Sequence, residues 1–203
     1  MVILLGACLE FGILIYEYME NDTLDDHLFQ KFDTPPLPWK LRFKMASEIA
    51  IGLLFLHQTK PEPIVHHDLK QANILLDKNY ICKISDVGLA RLVPPSVANK
   101  TTQKASYGRS WLCRGGYMQS TFKEVLDPKV RDWPVEDTLR LAMMALKCCE
   151  MRKRDRPDLH SVILPELIRL RDLAGDVDTY DFVPAKQEDM SNSSSVEEME
   201  NSR

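Results

Sequence analysis

The sequence contains few cysteines, and they form neither a metal-binding nor a disulfide pattern. Five are present, at Cys8, Cys82, Cys113, Cys148 and Cys149. The number is odd, no two are spaced as C-x-x-C, and no histidines stand at the spacing of a zinc-ligand pair. These absences argue against a zinc site or a disulfide-stapled secreted domain. They favour a reducing, intracellular compartment.

Clustered basic residues and long apolar runs are also lacking. The apolar opening segment, MVILLGACLEFGILIYEY, is interrupted by Glu10 and Glu17, and the first basic residue is Lys31. A signal peptide needs a basic start, and a membrane-spanning helix needs about 20 apolar residues. A nucleic-acid-binding surface needs Lys and Arg gathered on one face. We therefore expect a cytoplasmic protein with no membrane span and no nucleic-acid partner.

What the sequence does contain is the composition of one soluble domain with a tail. Of the 203 residues, 44% are hydrophobic and 28% are charged, and the net charge is −4. The charge is uneven, because residues 175–203 hold eight acidic and two basic residues. This polar, acidic segment has too few apolar side chains to form a core. We predict a folded region at 1–174 and a disordered acidic tail at 175–203.

Apolar periodicity predicts an α+β, mainly α fold. Residues 2–7 and 12–18 have the composition of two adjacent strands. A short helix follows, with Asn21, Asp22 or Thr23 as the candidate cap. A longer helix is predicted to start at Pro38 and to end near residue 57, with Met45, Ile49, Leu53 and Leu56 on its buried face.

The second half of the sequence predicts two more strands and two more helices. The strands are at 74–76 and 80–84, joined by a turn. Residues 93–120 have neither period and are predicted as a loop. One helix is predicted at 134–149, with Val135, Leu139, Ala142, Leu146 and Cys149 in line. The other is predicted at 159–174, where Pro165 either kinks the helix or marks its true start. Its aligned apolar residues are Leu159, Ile163, Leu167, Leu170 and Ala174.

The segment IVHHDLKQANILLD, residues 64–77, concentrates polar groups suited to phosphoryl transfer. That reaction needs an oriented hydroxyl, an acceptor for its proton, and cations near the phosphates. Asp68 could accept the proton, Lys70 could contact the phosphate, and the Asn73 amide oxygen could ligate a metal. Asp86 follows thirteen residues after Asn73, and the nearby Gly88 would allow its carboxylate to swing onto that metal.

The motifs HHDLKQAN and SDVGLA resemble the catalytic loop H-R-D-L-K-x-x-N and the D-F-G element of protein kinases. Two further stretches are similar to kinase elements in the same order: LIYEYMENDTL to the hinge and RKRDRPDL to the arginine element late in the large lobe. The sequence in and around these motifs is most similar to plant receptor-like cytoplasmic serine/threonine kinases, of the kind fused to a U-box. The resemblance covers about residues 2–173. It implies an incomplete protein-kinase-like fold, with a hinge and a large helical lobe and with most of the small lobe missing.

The resemblance also implies roles for individual residues. Asp68 would be the catalytic base and Lys70 the phosphate contact, with Asn73 and Asp86 as Mg²⁺ ligands. ATP would be the second cofactor, and a protein substrate or a partner kinase the macromolecular ligand. The implied adenine-pocket residues are Tyr16, Glu17, Met19 and Leu75. Ser85 and His66 would have structural roles.

Several kinase elements have no counterpart in these 203 residues. No glycine-rich loop and no V-A-I-K lysine precede the hinge, so residues 1–19 match only the end of the small lobe and the hinge. The large lobe, at 20–174, lacks the A-P-E element and a central apolar helix. This pattern predicts an internal deletion near 99–120, which would leave Arg156 without its acidic partner and the Met45 and Leu139 faces without a packing surface. His67 and Val87 replace the usual Arg and Phe.

Three hypotheses remain open at this point. The chain is a truncated serine/threonine kinase-type domain that is inactive by itself, a non-catalytic remnant that binds a protein partner through exposed helix faces, or an unstable gene-model fragment. Thermal unfolding with and without Mg-ATP separates them, because only the first hypothesis predicts stabilisation by nucleotide.

Overall fold

The computed structural model describes residues 1–87 and 118–175. Their regular elements are the strands β1 (Leu4–Cys8), β2 (Ile13–Tyr16), β3 (Ile74–Leu76) and β4 (Cys82–Ile84), and the helices α1 (Leu24–Leu28), α2 (Trp39–Gln58), α3 (Met118–Val125), α4 (Val135–Cys148) and α5 (Leu164–Ala174). Short 3₁₀ turns occupy Lys31–Asp33, Gln71–Asn73 and Lys153–Asp155, and a π-helical segment, Leu159–Ile163, leads into α5. The predicted tail, apart from Gly175, lies outside the described residues, as does the predicted loop at 93–117.

The four strands form two separate antiparallel pairs, in agreement with the predicted strands. β1 and β2 form a hairpin in which Leu4 lies opposite Tyr16 and Cys8 opposite Ile13. β3 and β4 pair with Ile74 opposite Ile84. The second pair is more buried than the first, since Ile74 and Ile84 are both core residues.

Helix α1 is capped by Thr23, one of the three predicted cap residues. The Thr23 hydroxyl accepts a hydrogen bond from the Asp26 amide, and the Asp26 carboxylate accepts one from the Thr23 amide. This reciprocal pair is a capping box, which satisfies two backbone donors that the first helical turn leaves free. The helix then packs on the 3₁₀ turn Gln71–Asn73 and on β3. The cap therefore fixes an element that supports part of the candidate site.

Helix α2 is the central element and is buried on two sides. Leu41 and Met45 join a strand cluster, while Phe43 and Ala50 join a helix cluster with α5. The strand cluster comprises Leu24, Leu37, Leu41, Met45, Ile74, Leu76, Tyr80 and Ile84. The helix cluster comprises Phe43, Ala50, Leu167 and Leu170, with partly buried partners that include Trp39, Trp133, Leu141 and Met144. One helix thus joins the sheet that carries the candidate site to the helical half.

Two expectations about α2 are wrong. The helix begins at Trp39, and Pro38 is its flanking cap residue, because the ψ angle of 151° at Pro38 is extended rather than helical. Met45 was also expected to lose its packing surface with the missing central helix. Its side chain is only 1% exposed, because β3 and β4 supply the apolar surface that covers it.

The predicted loop at 93–120 is wrong in its last three residues, because α3 begins at Met118. After α3, Arg42 of α2 forms an ion pair with Asp127, with the Arg42 Nη2 and Asp127 Oδ2 atoms 2.6 Å apart. The Arg42 guanidinium also lies 5.4 Å from the centre of the Trp133 ring. These contacts join the segment that follows α3 to the centre of the fold.

The predicted stripe of α4 is partly buried at Val135, Leu139, Ala142 and Leu146, and it is wrong only at Cys149. Leu141 and Met144 contact the helix cluster, whereas Cys149 is exposed and lies beyond the helix end. Polar contacts favour this face, because Arg169 of α5 binds Asp137 of α4 with 2.6 Å between Nη2 and Oδ1.

The predicted helix start near residue 159 is confirmed, because Asp158 caps the π-helical segment, and Pro165 marks only the change to the regular α-helix α5. The regular α-helix begins at Leu164, with Pro165 in its first turn, where a missing amide hydrogen costs nothing. Leu167, Leu170 and Ala174 are buried as predicted. Arg156 is exposed, and its Nε donates to the Glu150 carbonyl oxygen at 2.8 Å.

None of the helices in the described ranges is both long enough and apolar enough to cross a membrane.

Candidate active site

His66 anchors the candidate catalytic segment. Its ring is 3% exposed; Nδ1 accepts a hydrogen bond from the Asp68 amide at 3.3 Å, and Nε2 lies 2.7 Å from the Ser85 carbonyl oxygen. Because Nδ1 is an acceptor, Nε2 carries the proton and donates it to Ser85. His66 is therefore a positioning residue that ties the backbone of Asp68 to the residue before Asp86.

The side chains of Lys70 and Asn73 both contact the carboxylate of Asp68. The Lys70 ammonium lies 2.8 Å from Asp68 Oδ2. The Asn73 amide nitrogen donates to the Asp68 carbonyl oxygen at 2.9 Å and to Oδ2 at 3.2 Å. The hydrogen bond from Lys70 is the largest cause that lowers the pKa of Asp68, and the Asn73 amide adds to it. The structure thus places all three predicted catalytic side chains together, with the Asp68 carboxylate ionised at neutral pH.

Asp86 is held near this group by the end of the β3–β4 pair. The Ser85 amide and hydroxyl both donate to the Asn73 carbonyl oxygen, at 2.9 and 3.1 Å. These bonds fix Ser85 between Asn73 and Asp86, which supports its predicted structural role. The hydrogen bond to Asp68 is the main cause that raises the pKa of Lys70, and the charge of Asp86 also raises it. The Lys70 ammonium therefore lies in the field of both carboxylates.

Two residues of the site have left-handed backbone angles. His67 has a φ of 65° and Asp86 a φ of 57°, a region that residues other than glycine rarely adopt. His67 precedes Asp68, and Asp86 is itself one of the predicted metal ligands. Such conformations cost about 1–3 kcal/mol each and concentrate at active sites.

The predicted adenine-pocket residues lie along the chain that connects β2 to α1, and on β3. Tyr16 ends β2 and is 44% exposed, while Met19 is buried. Leu75 is half-buried and forms a β-bridge with Thr23. These positions border the sheet that carries Asn73 and Asp86. None of the four makes a described hydrogen bond to Asp68 or Lys70.

Glu17 connects this region to β4 through a residue that the sequence did not single out. The Glu17 carboxylate lies 2.7 Å from the Lys83 ammonium and also accepts the Ile3 amide at 2.7 Å. The hydrogen bond from Lys83 is the largest cause that lowers the pKa of Glu17. Lys83 lies three residues before Asp86, so the ion pair links the hairpin to the strand that presents Asp86. A lysine within the short apolar strand CKI was the available signal.

The donor atoms at the site fit a hard divalent cation. Because the Asn73 amide nitrogen is used by Asp68, the amide oxygen is the atom left to ligate a metal. Asp86 is exposed and offers a second oxygen ligand, and Mg²⁺ prefers carboxylate and amide oxygens. Within the described ranges, no cluster of three or more His, Cys, Asp or Glu side chains forms a competing site.

Comparison with known proteins agrees with this geometry. Residues 1–127 match the family described as protein tyrosine and serine/threonine kinase, and the chain belongs to this family. It is 40% identical to U-box domain-containing protein 34 of Arabidopsis thaliana over 85% of this chain and 27% of that protein. It is 41% identical to U-box domain-containing protein 52 of the same plant, over 86% of this chain and 26% of the relative. The predicted resemblance to plant proteins of this kind is confirmed.

The chain spans about a quarter of the length of these relatives. A relative from rice, Oryza sativa subsp. japonica, is U-box domain-containing protein 70, with 32% identity over 86% of this chain. The alignment with the Arabidopsis protein 34 runs over 215 residues, whereas 85% of the 203 residues of this chain is about 173 residues. Within the aligned region, about 40 residues of that relative therefore stand opposite gaps in this chain.

Proposed function

We propose that residues 1–174 are part of a serine/threonine protein kinase-type domain whose chemistry is ATP-dependent phosphoryl transfer to protein hydroxyl groups. One observation carries the proposal: the Asp68 carboxylate is held between the Lys70 ammonium and the Asn73 amide. Asp86 follows two residues after the end of β4. The membership of the kinase family supports the same reading.

The contacts support a separate role for each residue. Asp68, ionised and 60% exposed in its side chain, is free to accept the proton of an entering hydroxyl group. Lys70 would contact the phosphate that is transferred. Asn73 and Asp86 would supply oxygen ligands for Mg²⁺. When bound, Mg²⁺ neutralises negative charge on the phosphates of ATP. Tyr16, Glu17, Met19 and Leu75 border the position proposed for adenine.

The 203-residue chain by itself is proposed to be a poor catalyst. The 203 residues contain neither the V-A-I-K lysine nor a glycine-rich G-x-G-x-x-G loop. Removing one preorganised electrostatic group lowers the catalytic rate about 10²–10³-fold, and these residues lack several such groups. The surplus of about 40 residues in the aligned relative supports an internal deletion, which we place near 99–120.

Binding of a protein partner without catalysis is the second candidate. The observation that favours it is the β1–β2 hairpin, where large apolar side chains such as Leu5 and Phe11 are 65% and 75% exposed. A surface of this kind is typical of an interface. The partner would be a protein substrate or another kinase domain.

Thermal unfolding of the full chain with and without Mg-ATP tests the kinase proposal. Nucleotide at tenfold its dissociation constant adds about 1.4 kcal/mol, which raises the midpoint by about 3–6 °C for a chain of this size. We expect this shift in the wild type and a smaller one in Asp86→Asn. Asp172→Asn, which removes an exposed carboxylate of α5, is the matched control. A thermal midpoint that is unchanged by Mg-ATP favours the partner-binding candidate. The absence of a cooperative unfolding transition favours an unstable fragment.

A radiolabel assay separates nucleotide binding from catalysis. Any phosphate transfer from labelled ATP to a protein substrate must disappear in Asp68→Asn, because the amide that replaces the carboxylate cannot accept the hydroxyl proton. Transfer that survives this substitution contradicts the role of Asp68 as the base.

A further inference from the structure

His27 on α1 is a buried histidine that has no role in the chemistry proposed so far. It is 4% exposed, and its Nε2 atom lies 3.0 Å from the Asn21 carbonyl oxygen. Because a carbonyl oxygen only accepts hydrogen bonds, Nε2 carries the proton and donates it, which leaves Nδ1 of the neutral ring as an acceptor. Among the side chains of residues 1–87 and 118–175, Nδ1 is the one buried nitrogen or oxygen atom without a hydrogen-bond partner.

The unpartnered Nδ1 makes histidine an unfavourable residue at this position unless the other ring nitrogen is needed. A buried polar atom without a hydrogen bond loses its hydration and gains nothing in exchange. Tyr80 packs edge-on against the His27 ring, with 5.6 Å between the ring centres and 72° between the ring planes. A phenylalanine would make a similar ring contact without burying a nitrogen. What distinguishes histidine from phenylalanine here is the Nε2–H donor, so we attribute its presence to the bond with Asn21.

Asn21 lies at a hydrogen-bonded junction between the chain that follows β2 and the end of β3. Its backbone amide donates to the Leu76 carbonyl oxygen at 3.0 Å, and its side-chain amide donates to the Asp77 carbonyl oxygen at 2.8 Å. The Asn21 carbonyl oxygen is the acceptor that His27 occupies. The junction thus uses the amide, the side chain and the carbonyl group of a single residue.

The backbone of the junction is strained at Asp22. Its φ angle is 51°, in a region that residues other than glycine rarely adopt. Its carbonyl oxygen accepts the Leu76 amide at 3.0 Å. A conformation of this kind persists only where the surrounding bonds hold it. The bond from His27 fixes the Asn21 carbonyl group, which belongs to the peptide unit that leads into Asp22.

This junction connects two residues that border the position proposed for adenine. Met19 precedes Asn21 by two residues, and Leu75 directly precedes Leu76. Leu75 also forms a β-bridge with Thr23. A shift of the Asn21 peptide would therefore change the spacing between the Met19 backbone and the Leu75 side chain.

The groups proposed for the phosphates and the metal are held by other bonds. The Asn73 side-chain amide donates to Asp68, and the Ser85 hydroxyl donates to the Asn73 carbonyl oxygen. The described side-chain hydrogen bond of His27 goes to Asn21 alone. Loss of the His27 donor should therefore act on the adenine end of the site and not on the phosphate end.

We propose that His27 is a positioning residue for the adenine base. Its Nε2–H group holds the Asn21 peptide and thereby sets the spacing between the Met19 backbone and the Leu75 side chain. This inference rests on the proposed function, because it assigns adenine to that position. His27 acts through Asn21 and makes no contact with the nucleotide itself.

Isothermal titration calorimetry of the full 203-residue chain with Mg-ATP and with Mg-tripolyphosphate tests the inference, because the second ligand has the phosphates without the base. In His27→Phe, we expect the Kd for Mg-ATP to rise about tenfold, the usual effect of losing one hydrogen bond. The Kd for Mg-tripolyphosphate should stay unchanged. His27→Gln offers an amide donor near the position of Nε2 and should restore most of the affinity. His57→Phe, at an exposed histidine of α2, is the matched control and should bind both ligands as the wild type does.

Two results would overturn the inference and leave the proposed function in place. They are an unchanged affinity for Mg-ATP in His27→Phe, and an equal loss of affinity for both ligands. A wild-type chain without affinity for Mg-ATP would overturn the proposed function and the inference together.

Nitrogen NMR of the His27 ring in the wild type decides the matter if His27→Phe does not fold. We expect the proton on Nε2, and a shift of the ring signals with Mg-ATP that Mg-tripolyphosphate does not produce. A proton on Nδ1, or equal shifts with both ligands, would overturn the inference.

Discussion

At the scale of single residues, the site depends on groups that hold Asp68 rather than on Asp68 alone. His66 fixes the backbone at Asp68 and at Ser85, and Asn73 fixes the carboxylate. His67 and Asp86 adopt left-handed angles beside these contacts. The cost of those angles has to be offset by the surrounding hydrogen bonds, which explains why the segment is so densely bonded.

Glu48 is a second residue whose environment is unusual. Its carboxylate lies beneath β4, accepts the Cys82 amide at 2.9 Å and approaches Lys44 at 3.9 Å. Burial is the largest cause that raises the pKa of Glu48. Because its pKa in the folded state lies above the unfolded value, protonated Glu48 favours folding at low pH, and this contribution is lost as the pH rises through the folded pKa.

We predict that Glu48→Gln is more stable than the wild type at pH 7–8, because glutamine keeps an oxygen for the Cys82 amide without a buried charge. The advantage should shrink as the pH falls and vanish below about pH 4, where the wild-type carboxyl is protonated in both states. Urea denaturation across this pH range measures the difference. Exposed Glu62→Gln is the control and should show no such trend. A destabilised Glu48→Gln at pH 7 would mean that the Lys44 ion pair outweighs the cost of burial.

At the scale of elements, helix α1 shows how a local signal supports the site. It is five residues long, too short to be stable alone. Its capping box and its contact with the turn Gln71–Asn73 hold it in place. The cap is therefore connected to Asn73 through one helix.

We predict that Thr23→Ala lowers the free energy of unfolding by about 1 kcal/mol, the usual cost of losing a helix cap. Thr23→Ser keeps the hydroxyl and should stay within a few tenths of a kcal/mol of the wild type. Chemical denaturation of the two variants gives the comparison. Equal stabilities for the alanine and serine variants would show that the capping box contributes nothing.

Elements with a strong local signal were predictable from the sequence, and those oriented by distant contacts were not. β3 and β4 follow from their apolar patterns and from the Asn and Asp residues of the turn between them. The start of the regular helix at Leu164 follows from Pro165. The start of α3 at Met118 did not follow, and neither did the ion pair that joins α4 to α5, since Asp137 and Arg169 are 32 residues apart. Periodicity carries no information on such pairs.

The same distinction applies to the candidate site. Asp68, Lys70 and Asn73 lie within six residues, so the spacing alone predicted that they meet. The ion pair between Glu17 and Lys83 joins residues 66 positions apart, and no local pattern predicts the register that aligns them. Only the β1–β2 and β3–β4 pairs, which are linked by the Val2–Ile84 hydrogen bond, bring the two side chains together.

At the scale of the whole molecule, α2 connects the chemistry to the helical half. Its one side covers β3 and β4, which present Asn73 and Asp86, and its other side packs on α5. The described part of the chain thus contains two packed apolar clusters that share one helix. The candidate catalytic segment is therefore supported by packed apolar side chains of β3, β4 and α2.

We propose that Asn73 and Asp86 hold the metal of a metal–nucleotide complex beside Asp68. Paramagnetic Mn²⁺ supplied with ATP tests it most directly, because it broadens the NMR signals of nearby amides. We predict selective broadening at Asp68, Asn73 and Asp86 in the wild type, unaffected signals along α5, and loss of the effect in Asp86→Asn. Broadening that is absent from these amides, or that centres on Asp137 and Glu166, would contradict the claim.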